Sequence, residues 1–361
     1  MISAAYYQYV YLLVVTLMTF YAMSLYNNWG KQYSTRNSSQ FVAFILLFFV
    51  VWFIGTRPVS GKYFVDMANY SLFYDMGLGE PFSFNRKTEN ILWDNFFNWM
   101  ASKRIDFTTW AIVVAAAYFG WMYWACKKLF GKDILLAFVV YLAAFSTFSY
   151  GTNGMKAGVA ASLFLVAIAY IDNLRISIPI ALLSYGFHHS MIMVIAAYFV
   201  VLFVKNIKYY FLGWIASIII AAFHITFFQS FFAGFASDHS ADYLLATEDT
   251  GYYVTGFRPD FILYSAVPIC LAYLVFVKNK YQSNIYLFML RLYILTNAIW
   301  MLCMYADFAN RIAYLSWFMY PFVLLYPFVS HDKIQLQGKY LQYVVYGHLA
   351  FTLFMMFIYY R

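Results

Sequence analysis

Hydrophobic residues fall in long runs separated by short polar breaks, and the runs recur along the whole chain. Twelve apolar segments stand out, at about 5–26, 40–56, 107–126, 134–148, 155–171, 176–187, 190–204, 209–227, 261–277, 285–305, 312–329 and 340–359. A hydrocarbon core of about 30 Å is crossed by about 20 helical residues, and several runs reach that length, with 134–148 on the short side. The runs are continuous and do not alternate as barrel strands do, so helices are the only way to satisfy their backbone within a bilayer. The pattern predicts an all-α polytopic membrane protein, a single integral membrane domain over residues 1–361, with about 11–12 transmembrane or half-spanning helices.

One stretch is ambiguous by length. The 29 residues from Ile176 to Val204 are apolar except for Gly186, His188 and His189 near the middle. They read either as one tilted span or as a pair of helices broken at the histidines. Charge decides in favour of the pair. With the first helix entering from outside, a broken pair leaves 12 basic residues against three acids (Asp133, Asp172 and Asp332) on the inner side, and 11 basic against 12 acids elsewhere. That asymmetry obeys the positive-inside rule. A single span would put Arg175 and Lys205 on opposite sides.

Two long connections then lie on the outer side. Residues 57–106 carry six basic and six acidic residues, and at about 88–100 they place Ile91, Leu92, Phe96 and Trp99 against Glu89, Asn90, Asp94 and Asn98. Residues 228–260 are acidic, with Arg258 as their one basic residue. Both are rich in aromatic residues and have no linker composition, so they are expected to be ordered lids.

Composition narrows the class further. Hydrophobic residues make up 64% and charged residues 11% of the 361, against about 25% charged in soluble domains, which excludes a soluble enzyme and a disordered chain. The net charge of +8 comes from short clusters between apolar runs, with no basic-aromatic motif for nucleic acid. Cys126, Cys270 and Cys303 have no paired or metal-ligand spacing and are expected in the core. The first charge is Lys31, so the first run lacks a signal peptide's basic start and is expected to persist as a helix. No internal repeat is visible, which disfavours an inverted-repeat transporter.

Ionisable groups at membrane depth mark a site by default. The outer-side set comprises Arg57, Asp66, Lys156, His188, His189, Asp307 and Arg311. Arginine offers paired donors and lysine a mobile charge to phosphate oxygens, and the helix start at Gly154-Met155-Lys156 adds backbone N–H groups. This set suits a lipid-linked phosphate or diphosphate. Each residue also has a plainer reading: Arg57 and Lys156 can snorkel, Arg311 can pair with Asp307 one turn earlier, and either histidine can be an interfacial hydrogen-bonding group. Arg291, inside the 285–305 run, is expected to snorkel.

Phe53-Ile54-Gly55-Thr56-Arg57, followed by Asp66-Met67-Ala68-Asn69-Tyr70, resembles the motif that opens the first outer loop of EpsG-like and Wzy-type polysaccharide polymerases. Glu89 before Ile91-Leu92-Trp93, Gly154-Met155-Lys156-Ala157-Gly158, Phe187-His188-His189-Ser190-Met191 and Asn310-Arg311-Ile312 are similar to later motifs of that family, in order, over roughly residues 50–320. The family position of Lys156 is commonly an arginine, and the spacing from Arg57 to Asp66 is longer than in many members.

The resemblance implies a GT-C-like helical glycosyltransferase of the bacterial cytoplasmic membrane, with its site facing the exterior. It would join oligosaccharides carried on undecaprenyl diphosphate into O-antigen, capsule or exopolysaccharide. Donor and acceptor are both lipid-linked, the bilayer is a partner, and a chain-length regulator protein is a further one. In such chemistry Arg57, Lys156 and Arg311 would stabilise the departing diphosphate, with neither metal nor cofactor called for. His188, or failing it Asp66, would take the proton of the attacking hydroxyl. Tyr70, Glu89, His189 and Arg258 are further substrate-binding candidates. A flippase of lipid-linked sugars and a surface-glycan ligase or acyltransferase are the alternatives.

Overall fold

A computed structural model describes residues 2–28, 34–233, 256–279, 283–306, 309–329 and 339–359. Their regular structure is helical throughout, with one isolated bridge between Ser60 and Phe64. The helices are α1 (Tyr7–Asn28), α2 (Ser34–Gly55), α3 (Val65–Met76), α4 (Ile91–Ser102), α5 (Phe107–Phe130) and α6 (Ile134–Leu142). They continue with α7 (Phe145–Thr152), α8 (Met155–Ala169), α9 (Leu174–Phe187), α10 (Met191–Phe203), α11 (Ile207–Ala222) and α12 (Phe227–Ala233). The remainder are α13 (Pro259–Asn279), α14 (Asn284–Leu302), α15 (Ala309–Trp317), α16 (Tyr320–Val329) and α17 (Lys339–Phe354).

Among the described residues, four helical stretches are long and apolar enough to cross a membrane, five if the bent α5–α7 run counts as one. Six shorter apolar helices accompany them. Large apolar side chains such as Leu13, Phe20, Phe48, Leu212 and Ile219 face outward, the surface expected where lipid replaces water. The protein is an all-α polytopic membrane protein.

Two compact units emerge, residues 1–189 with 328–361, and residues 190–327. In the first, α5 packs between α2 and α8, α9 packs on α8, and α6 is enclosed by α1, α2 and α5. Every residue of α6 is buried, as an all-round apolar helix requires.

The apolar run 134–148 is not one helix. It continues α5 through a single 3-10 turn and then breaks at Ala143-Ala144, where the chain bends by 77° into α7. A helix end leaves its last carbonyls without partners, a cost that side chains meet here. The Val140 carbonyl faces His348 Nε2 at 3.0 Å, and the Tyr141 carbonyl accepts from Thr147 Oγ1 at 2.8 Å. Leu142 O accepts from the Tyr11 hydroxyl at 2.8 Å, and Ala143 O from Thr352 Oγ1 at 2.6 Å. Three elements, α1, α7 and α17, thus satisfy one helix end.

The next break, at Asn153-Gly154, lets α8 fold back against α7. A Cβ on Gly158 would lie 2.7 Å from the Tyr150 carbonyl oxygen and 3.2 Å from the Tyr118 ring. Alanine would gain about 0.5–1 kcal/mol of helix propensity, but overpacking against backbone costs about 1–3 kcal/mol. Gly158→Ala is therefore expected to lower the unfolding midpoint in detergent. An unchanged or raised midpoint would show that the two helices can separate freely.

In the second unit, α14 packs on α10, α11, α13 and α15. A polar chain is closed within it: Trp214 Nε1 donates to Asn297 Oδ1 (2.8 Å), and Asn297 Nδ2 donates to Ser316 Oγ (3.1 Å). Arg291 is buried and engaged by backbone carbonyls. Its Nε donates to Leu287 O at 2.9 Å and its Nη1 to Lys205 O at 2.8 Å, just beyond the end of α10. Cys126 and Cys303 are in the core, but Cys270 lies on the exposed face of α13, because the apolar face turned to lipid is as hydrophobic as the one turned inward.

The run 176–204 is broken at the histidines. α9 ends at Phe187, His188 is extended (φ −153°, ψ 122°), and α10 begins at Met191.

Candidate functional site

The connection 57–106 is ordered and contains two helices. Six aromatic residues, Tyr70, Tyr74, Trp93, Phe97, Phe107 and Trp110, join α3 and α4 to the start of α5, with ring centroids 5.1–6.2 Å apart. The start of α5 is fixed by Asp106, whose carboxylate accepts from the Thr109 N–H (2.9 Å) and hydroxyl (2.6 Å), an N-cap. Asn95 ties the preceding loop to α4: its amide donates to Asn85 O and Ile91 O, and its oxygen accepts from Asn85 N at 2.7 Å.

This aromatic base delivers the first turn of α4 to the end of α9. Contact is close because Gly186 has no side chain; a Cβ there would lie 2.6 Å from Leu92 Cγ. Two segments about a hundred residues apart in sequence meet as a result. Asn90 Oδ1 accepts from the His189 backbone N–H at 3.0 Å and faces His189 Nδ1 at 3.4 Å, while Glu89 Oε2 lies 3.6 Å from the same Nδ1. The His188 ring stacks on His189, with centroids 4.8 Å apart.

Asp94 completes the group. Its Oδ2 accepts from Asn90 N at 3.2 Å. Burial raises its carboxyl above the usual range, opposed by that N–H and by the Lys156 charge. Burial likewise pushes the His189 imidazole below its ordinary 6.5, opposed by Glu89 and reinforced by Lys156. Lys156, half-buried in the first turn of α8, therefore acts on both. Of the residues expected from sequence, Glu89, His188 and His189 come together, with Lys156 near enough for its charge to act on His189. Asn90 and Asp94 join them, and the only advance sign was their place on the polar face of the 88–100 stretch.

Arg57 faces inward. It is 3% exposed, donating from Nη1 to Ile54 O (2.6 Å) and from Nη2 to Thr152 O (2.8 Å), with Met155 Sδ 3.0 Å away and the Phe64 ring beside it. Burial lowers its pKa to about 9, so it stays charged at neutral pH. It closes the carbonyl ends of α2 and α7, which places it beside the residue that begins α8. Asp66 sits half-buried in the first turn of α3, where the helix dipole favours a carboxylate. Tyr70 belongs to the aromatic base.

In the second unit, Arg258 is engaged bidentately by Asp260 (3.0 and 2.7 Å) and stacks over the Phe261 ring at 4.2 Å. Arg311 is exposed in the first turn of α15. Its expected partner Asp307 lies outside the described residues, as does 234–255 of the second long connection. An apolar groove of about 690 Å³ runs along α10, α11 and α14, lined by Val200, Trp214, Ile220, Phe232 and Ile299 among others. Among the described residues, no group of three or more His, Cys, Asp or Glu side chains is arranged to hold a metal ion.

No curated protein and no solved structure matches the chain. The sequence profile described as the EpsG family matches residues 40–361, which takes in the aromatic base, the cluster about His189, Arg57, Lys156 and Arg311. On that match, the chain belongs to the EpsG family.

Proposed function

We propose that this protein is a membrane glycosyltransferase joining oligosaccharide repeat units carried on undecaprenyl diphosphate into O-antigen, capsule or exopolysaccharide. It would work at the outer face of the bacterial cytoplasmic membrane. The reading is supported by family membership, which points to polysaccharide polymerisation. The observation that carries it at residue level is the grouping of Lys156 with His189, Glu89 and Asp94 at a helix break. Glycosyl transfer from a lipid diphosphate needs a cation where charge gathers on the leaving group. It also needs a proton acceptor for the attacking hydroxyl.

Lys156 supplies the first, and Arg57 holds the break from which Lys156 projects. The test is incubation of the purified protein in detergent with a lipid-linked repeat unit. A ladder of products differing by one unit is expected. Unchanged substrate from protein that remains folded would overturn polymerisation and favour a flippase of the same lipid.

A further inference from the structure

We infer that His189, oriented by Asn90 and Glu89, is the proton acceptor for the sugar hydroxyl and that His188 is not. This rests on the polymerase reading above. The tautomer follows from two contacts. Asn90 Oδ1 accepts the backbone N–H of His189 at 3.0 Å, which fixes that atom as oxygen and not the amide nitrogen. The same oxygen and Glu89 Oε2 face ring Nδ1 at 3.4 and 3.6 Å. Two acceptors on one side favour a proton on Nδ1, which leaves the lone pair of the neutral ring on Nε2. With 18% of its side chain exposed, His189 still reaches solvent.

Asn90 breaks a local rule to make this contact. It stands at the N-cap of α4, yet its side chain makes no capping hydrogen bond and turns to His189. A capping Asn stabilises its own helix, and such departures gather at functional sites. Asn90 is therefore a positioning residue. Asn90 Oδ1 and Glu89 Oε2 face the His189 ring, and the His188 ring stacks on it.

In the step itself, Nε2 of His189 takes the hydroxyl proton as the sugar oxygen's electron pair bonds the anomeric carbon. The bond from that carbon to the diphosphate oxygen breaks, and its electron pair leaves on the diphosphate. The imidazolium formed is stabilised by Glu89 and Asp94, and it returns its proton to water. Glu89, Asp94 and Lys156 are the charged groups that act on His189, and His188 stacks on it. A neutral base loses activity as pH falls through its pKa. Removing Glu89 takes away an anion that holds this pKa up; removing Lys156 takes away a cation that holds it down.

The test compares ladder formation by wild type, H189Q, H188Q, E89Q and K156M from pH 5 to pH 8, each shown to be folded by its elution profile. H189Q is expected to lose about 100-fold or more in rate and to lose the acid limb of the profile, and H188Q to lose less than tenfold. The acid limb should move to lower pH in E89Q and to higher pH in K156M. H189Q with the wild-type rate and profile, or an acid limb unmoved in E89Q, would overturn the assignment while leaving the polymerase reading intact. A wild-type protein that forms no ladder would overturn both.

Discussion

Arg57→Ala is expected to lower the protein's stability by on the order of 3–5 kcal/mol, the sum of two charge-assisted bonds to buried carbonyls and the space the side chain leaves. The guanidinium joins Ile54 O at the end of α2 to Thr152 O at the end of α7, and in apolar surroundings neither carbonyl finds water as a substitute. Arg57→Lys should fall between, because one ammonium cannot span both directions as a planar fork does. Unfolding followed by tryptophan fluorescence in detergent measures both variants. An Arg57→Ala midpoint within a degree of wild type would show that the carbonyls are satisfied in another way. The loss should register first as less folded protein, because this arginine is turned toward backbone.

Lys156→Met is expected to slow chain growth by about 100–1000-fold, the usual consequence of removing one aimed donor from developing charge. The fold should persist, since Lys156 is half-buried and methionine is a good helix former at the start of α8. Lys156→Arg should recover much of the rate by restoring the charge. Initial rates of ladder formation at saturating lipid-linked substrate decide the matter. A Met variant within threefold of wild type would remove Lys156 from the diphosphate.

The break at His188-His189 could be read from the sequence, because polar residues interrupt an apolar run there and the basic loops require the chain to turn back. The amphipathic helix α4 and the start of α5 at Phe107 were legible in the same way, from local hydropathy pattern. The end of α6 was not: Ala143-Ala144 interrupts nothing in hydropathy, and what permits the bend are side chains from α1 and α17. For the same reason Arg57 read as a free cation. The carbonyl it serves, on Thr152, exists as an acceptor only because α7 ends there. Hydropathy likewise gave Arg291 an outward path, whereas the structure gives it the carbonyl of Lys205. Preference for His188 over His189 came from motif position. The contact of Glu89 and Asn90 with His189, across about a hundred residues, depends on Gly186 lacking a side chain.

The end of α6 also bears on how the chain is assembled during translation. Two of its four terminal carbonyls, Val140 and Ala143, are met by residues 208 and 209 positions further along. The ribosome must therefore make the whole of residues 190–327 before those partners emerge. Until then the early helices form an unfinished half with an open seat, and the arrival of α17 locks it. A fragment ending at His189 would lack the partners of those two carbonyls.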